Sequence, residues 1–281
     1  MTELRRYARM SLPVTGSALL ALTLFAGPAG STPAESSAAP ARQICDYQPA
    51  SAENSAASPI DERYNAEPDL RELLGPAISE EIVDGPISYK VYQNGRLYWS
   101  AETGVHEIRG QIMGTYLDQG GHKAFGAPIT DECPTADGVG RYNHFVGTKS
   151  SGTTSIYWHP EYGAKLLYGP VRKHWEDAQW EAGTYGYPIS NTESTPDGRG
   201  TFSDFVGDDG QGASIYWSQE TGANGIKGRI RSHWAVNGAT GSYLGYPTTD
   251  ELDTPTGKRS NFEGGYITWN RETGEVADHP W

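Results

Sequence analysis

Cationic side chains are scarce in this sequence: 22 lysines and arginines face 35 aspartates and glutamates, a formal net charge of −13. An acidic chain repels phosphate backbones, which argues against a nucleic-acid partner. Cysteine is nearly absent, with only Cys45 and Cys133. The seven histidines show no metal-ligand spacing, and no Cys-x-x-Cys, His-Glu-x-x-His, Gly-x-Ser-x-Gly or phosphate loop occurs. Nothing therefore marks a metalloprotease, a serine hydrolase or a nucleotide-binding enzyme, and no cofactor or metal is implied. Hydrophobic residues reach only 36%, too few for one large core. Beyond the N-terminus no apolar run is long enough to span a bilayer.

What is abundant is glycine and proline, with aromatic residues at 11%. That mixture suits short strands joined by tight turns, with tryptophan and tyrosine supplying the buried area. The N-terminus reads as an export signal. Arg5, Arg6 and Arg9 precede an apolar run from Leu12 to Ala26, and Gly27-Pro28-Ala29 or Ala39-Pro40-Ala41 could precede the cleavage point. An uncleaved anchor is the alternative. Residues 1–41 are thus taken as signal peptide and start of a linker, and 42–58 as disordered linker. The mature form is expected to be secreted, without a membrane span. In an exported chain Cys45 and Cys133 are expected to pair as a disulfide; two free thiols are the alternative.

From residue 59 to 281 one pattern recurs. The segment Ser155-Ile156-Tyr157-Trp158-His159-Pro160-Glu161-Tyr162-Gly163 returns around Trp217, and appears earlier around Trp99 and last around Trp269. A fixed period of this size marks a repeat architecture. Each unit opens with a short amphipathic helix carrying Ile60/Tyr64, Ile112/Tyr116, Val171/Trp175 or Ile230/Trp234 one turn apart. A second signature follows, as in Phe125-Gly126-Ala127-Pro128-Ile129-Thr130-Asp131-Glu132 and Leu244-Gly245-Tyr246-Pro247-Thr248-Thr249-Asp250-Glu251. A permissive glycine and a φ-locked proline make a defined reversal there, and the hydroxyl and acid can satisfy backbone N–H groups. Turn dipeptides, a loosely alternating strand, a glycine-rich turn and the tryptophan strand complete the unit. The predicted fold is mainly β with short helices: four tandem helix-turn-β-meander units over about 59–107, 108–167, 168–226 and 227–281, each meander of two or three strands. The first helix lacks a preceding strand and the last strand lacks a following helix. The two ends are expected to meet and close a pseudo-symmetric propeller-like ring; an open stack is the alternative.

The apolar-Gly-aromatic-Pro turn, the Thr-Asp-Glu after it, the paired phenylalanines and the Ile-Tyr-Trp-Ser-x-Glu-Thr-Gly strand together resemble the LGFP repeat. The resemblance covers roughly residues 60–275. It implies an exported actinobacterial protein associated with the cell wall, binding its polysaccharide of arabinogalactan or peptidoglycan type without catalysis. No unit reads Leu-Gly-Phe-Pro literally. The first, Leu74-Gly75-Pro76-Ala77, displaces its proline, and the fourth carries Thr268 where the others have Tyr98, Tyr157 and Tyr216.

Alternation places Tyr98, Tyr157 and Tyr216 on one sheet face and Trp99, Trp158, Trp217 and Trp269 on the other. Aromatic faces stack on the C–H face of sugar rings, so Tyr98, Tyr157, Tyr216, Trp158 and Trp217 are the candidate ligand-binding residues, although a repeated tryptophan also suits a core. Glu161 and Glu220 would accept from sugar hydroxyls or fix their turns. The paired acids Glu80-Glu81, Asp131-Glu132 and Asp250-Glu251 are expected to cap turns; glycosidase chemistry needs two carboxylates across one deep cleft. His174 and His233 read as structural. The expected partner is cell-wall polysaccharide. A wall-active glycan hydrolase and an envelope scaffold that docks a partner enzyme remain the alternative readings.

Overall fold

The computed structural model describes residues 57–147 and 152–281. The leader and most of the linker lie outside the described residues, as does Cys45. The first unit comprises α1 (Pro59–Ala66), α2 (Pro68–Leu74), β1 (Ile82–Asp84), β2 (Ile87–Tyr92), β3 (Gly95–Ser100) and β4 (Gly104–Arg109). The second comprises α3 (Gly110–Asp118), α4 (Gly121–Phe125), β5 (Cys133–Pro134), β6 (Arg141–Phe145), β7 (Thr154–His159) and β8 (Gly163–Leu167). The third holds α5 (Gly169–Asp177), β9 (Glu193–Ser194), β10 (Gly200–Phe205), β11 (Ala213–Ser218) and β12 (Gly222–Lys227). The fourth holds α6 (Gly228–Val236), β13 (Leu252–Thr254), β14 (Gly257–Phe262), β15 (Gly265–Asn270) and β16 (Val276–Pro280).

Each unit forms one four-stranded antiparallel meander in sequence order. The extra strand beyond the expected two or three is the short one before the turn dipeptide. Val83 pairs with Ser88 across Gly85, and Cys133 with Tyr142 across Gly138. Ser58 caps α1 by accepting from the Asp61 N–H at 3.2 Å, with Pro59 at the first helical position.

The Leu-Gly turn works the same way four times. Gly75, Gly126, Gly186 and Gly245 all sit at φ between 65° and 74°, a conformation that disfavours any Cβ. Their carbonyls accept from the aromatic residue of the helix: Tyr64 (2.7 Å), Tyr116 (2.6 Å), Trp175 (3.1 Å) and Trp234 (3.1 Å). The displaced proline of the first unit changes little. Ala77 takes the place of Pro128, Pro188 and Pro247 and bridges to Tyr92 as they bridge to Phe145, Phe205 and Phe262.

Units join by sandwiching a helix. Gly110, Gly169 and Gly228, at φ 54°, 63° and 51°, turn the last strand of one unit straight into the helix of the next. Each of these helices lies between its own sheet and the preceding one. Ile112, Tyr116, Ile156 and Leu166 of the second unit thus share a core with Ile87, Tyr98 and Ile108 of the first. Tyr157 and Leu167 pack with Val171 and Trp175, and Tyr216 and Ile226 with Ile230 and Trp234.

Among the described residues no sheet closes on itself, and the propeller-like ring is not confirmed. Among the described residues every core cluster lies within the first unit or joins units adjacent in sequence. The outer face of the fourth sheet differs in chemistry from its counterparts. Where the others stack Tyr89 on Tyr98, Tyr142 on Tyr157 and Phe202 on Tyr216, the fourth has Arg259 and Thr268. Arg259 lies 3.8 Å from the centre of the Tyr266 ring, and Tyr266 stacks on His279. A polar outer face of this kind is what a terminal repeat needs.

Candidate functional site

The tyrosine strand and the tryptophan strand are one strand, and the structure separates its two faces as the alternation predicts. Their environments differ. Tyr98 and Tyr157 are 0% and 3% exposed, and Tyr216 is half-buried. Each meets the helix of the next unit edge-on: Tyr98 on Tyr116 at 5.7 Å, Tyr157 on Trp175 at 4.7 Å, Tyr216 on Trp234 at 4.8 Å. Burial pushes all three hydroxyls above the usual phenol range. These rings hold units together, and Tyr98 and Tyr157 present no free face on which a sugar could stack.

Trp99, Trp158, Trp217 and Trp269 lie on the opposite face against their own helices, and all four are half-buried. Their cross-strand neighbours are small, polar or basic on one side: Ser88, Arg141, Thr201 and Lys258. On the other side they are Val105, Ala164, Ala223 and Val276. Beside Trp158 a cleft of ≈ 330 Å³ is lined by Arg109, Gln111, Glu132 and Arg141. Arg109 closes one wall by its 2.7 Å ion pair with Glu132.

Glu161 and Glu220 are exposed at the tips of their turns. The Glu161 carboxylate accepts a hydrogen bond from the Tyr162 hydroxyl within its own turn. In the first, third and fourth units the turn is fixed by the strand-end residue: Ser100, Ser218 and Asn270 accept the N–H of Thr103, Thr221 and Thr273. Glu220 instead lies 3.5 Å from Arg199.

The paired acids cap backbone groups, and do so across the joint. Asp131 accepts the N–H of Glu107 (2.9 Å), Asn191 that of Leu166 (2.9 Å) and Asp250 that of Gly225 (2.7 Å). Each donor belongs to the last strand of the preceding unit. The hydroxyl before the acid serves its own unit: Ser79, Thr130, Ser190 and Thr249 accept from Val91, His144, Asp204 and Asn261. His174 and His233 are tied to Asp250 at 3.1 Å and Asp278 at 2.7 Å. Among the described residues no group of three histidine, cysteine or acidic side chains is placed to hold a metal.

Sequence reasoning missed a further fastener. The Tyr187 hydroxyl donates back to Thr135 and Asp137 of the second unit (2.8 and 2.7 Å), and Tyr246 donates likewise to Thr195 and Asp197. The aromatic third position of the Gly-aromatic-Pro turn thereby latches onto the preceding Asp-Gly turn. The second unit has Ala127 there, and His122 contacts Asp84 instead (2.9 Å). The signal was present in the repeated Thr-x-Asp-Gly of the second and third units.

One joint is charged inside. Arg63 from α1 grips both oxygens of Asp131 at 2.9 and 2.7 Å. Glu107 beside it is fully buried, and its second carboxyl oxygen has no partner among the described residues. Burial, with the Asp131 charge adding to it, raises Glu107 to about 8. The expected disulfide partner of Cys133 lies outside the described residues. Among the described residues no helix is long and apolar enough to cross a membrane.

No curated protein matches this chain. The LGFP repeat matches it four times in succession, over residues 74–123, 125–183, 186–242 and 244–279. The matches begin at the Leu-Gly turns rather than at the helices, and each takes in the sheet that follows. The chain belongs to the LGFP repeat family, whose repeats are associated with the cell wall.

Proposed function

We propose that this chain is a secreted, non-catalytic module that binds cell-wall polysaccharide along its row of half-buried tryptophans. The observation that carries the reading is the half-buried tryptophan repeated on the same face of every sheet, while the neighbouring tyrosine face is covered by the next unit. An indole held rigid on a strand offers a sugar a flat apolar face at little entropic cost. Trp158 and Trp217 are the central contacts. Arg141, Thr201 and Lys258 supply donors beside Trp158, Trp217 and Trp269, and Glu161 and Glu220 lie at the turn tips as acceptors. Several weak sites on one scaffold gain avidity on a repeating polymer. Burial raises the proton affinity of Glu107, Glu132 and Glu251, but Glu132 is the one carboxylate among the residues lining the Trp158 cleft, whereas hydrolysis requires two across one cleft.

Retention on insoluble cell wall stripped of protein and lipid tests the proposal. The wild-type chain is expected to be retained and released by soluble wall glycan. Trp158→Ala with Trp217→Ala is expected to lower retention at least tenfold with the fold intact by circular dichroism. Unchanged retention would mean the tryptophan row is not the contact surface.

A further inference from the structure

The second unit departs from the repeat at one turn. Where the others carry Ser100-Thr103, Ser218-Thr221 and Asn270-Thr273, it carries His159-Pro160-Glu161-Tyr162. The polar turn is replaced by an aromatic one: His159 stacks on Tyr162 at 4.6 Å and 15°, and its ring centre lies 4.5 Å from that of Tyr187 of the third unit. A cleft of ≈ 320 Å³ opens at this place, away from the residues that line the Trp158 groove.

The opposite wall is built at a conformational cost. Gln179 and Trp180 sit at φ 71° and 56°, where a side chain is strained. Trp180 is held there by Tyr157, Trp175 and the Arg172 guanidinium 4.8 Å from its ring centre. The next residue, Glu181, lines the cleft and is steadied by the Ala136 N–H at 2.9 Å. Asp208 completes the wall, already paired with Lys227 at 3.2 Å. The lining contains no lysine or arginine.

We propose that this cleft between the second and third units is a separate sugar site, taking one neutral pyranose ring between the outer face of Tyr162, which His159 backs, and the Glu181 carboxylate. It rests on the reading of the chain as a polysaccharide-binding module and names a second type of site within it. Tyr162, held by the His159 ring stacked behind it, stacks on the C–H face of the sugar. Glu181 accepts from ring hydroxyls, since one N–H leaves it unused acceptor capacity. The acidic lining disfavours anions, and the pairing of Asp208 with Lys227 removes the double negative charge that would select a cation. The volume is at the small end for ligand clefts, in keeping with a single ring.

The test follows backbone amide shifts of the purified chain titrated with glucose, galactose, N-acetylglucosamine and, as a cationic control, glucosamine. Millimolar, saturable shifts are expected at Gly183, Gly186 and Gly207, which line the cleft. The double variant His159→Ser with Tyr162→Thr recreates the turn that folds in the third unit, so loss of structure is not expected. It should weaken binding at least tenfold, and Glu181→Gln should do so to a lesser degree. No saturable shift with any neutral sugar, equal shifts in the double variant, or a response to glucosamine alone would each overturn the proposal. Wall retention through Trp158 and Trp217 is read separately, so the failure of either reading is seen without the other.

Discussion

Replacing Glu107 by glutamine should stabilise the protein, and increasingly so as pH rises. Glu107 is fully buried at the first joint and accepts the Glu132 N–H at 3.1 Å through one oxygen, while the other has no hydrogen-bond partner among the described residues. Burial comes first among the causes that raise it to about 8 from an unfolded value near 4.5. Between those values the native state holds a proton that the unfolded chain has released. Stability therefore falls with pH across that window and is flat beyond it. One pH unit is worth about 1.4 kcal/mol, so the loss reaches about 3 kcal/mol by pH 7 and about 5 kcal/mol above pH 9. Glutamine keeps the acceptor for Glu132 and mimics the protonated carboxyl without titrating. The variant should match the wild type near pH 4.5 and exceed it by about 3 kcal/mol at pH 7, roughly 6–12 °C in melting temperature for a domain of this size. Thermal unfolding followed by circular dichroism at half-unit pH steps from 4.5 to 9 measures the difference directly. A difference that does not change with pH, or a variant less stable than wild type at pH 8, would refute the assignment of a protonated Glu107.

The remaining expectations concern the fasteners. Tyr187→Phe removes the hydroxyl that reaches Thr135 and Asp137 and should cost about 1–2 kcal/mol in urea unfolding, while the same change at Tyr162 should cost much less. Gly110→Ala places a side chain at φ 54° with no atom within 4 Å of the new methyl, so its cost, about 1–2 kcal/mol, should be conformational alone. We propose that Cys133 pairs with Cys45, and peptide mapping without reduction should recover that cross-linked pair from secreted protein; free Cys45 in that material would refute it.

How much could be read beforehand differs from residue to residue. Trp158 and Tyr157 were correctly placed on opposite faces because a strand alternates with period two whatever surrounds it. Which face stays partly open was not legible. That depends on the next unit's helix folding back over the tyrosine, a tertiary fact that no local pattern carries. The hydroxyl-acid pair after each turn was legible as N–H capping, since short polar side chains near a reversal do that. That Asp131 and Asp250 would reach the preceding unit's strand was not, because the donor lies 24 or 25 residues away. The frame at the two ends invited a closed ring, but Arg259 and Thr268 had already replaced the stacked aromatic pair of the other sheets.

The sandwiched helix also dictates an order of assembly. The tyrosine face of each sheet stays uncovered until the next unit's helix arrives, and the acceptor for the last strand's N–H comes from that same unit. A chain emerging from an export channel N-terminus first would complete its joints one after another, each contact spanning only a few tens of residues. Such a zipper needs no distant partner to begin and leaves only its newest face open to misassociation. Pulled from either end, it would be expected to yield unit by unit rather than all at once.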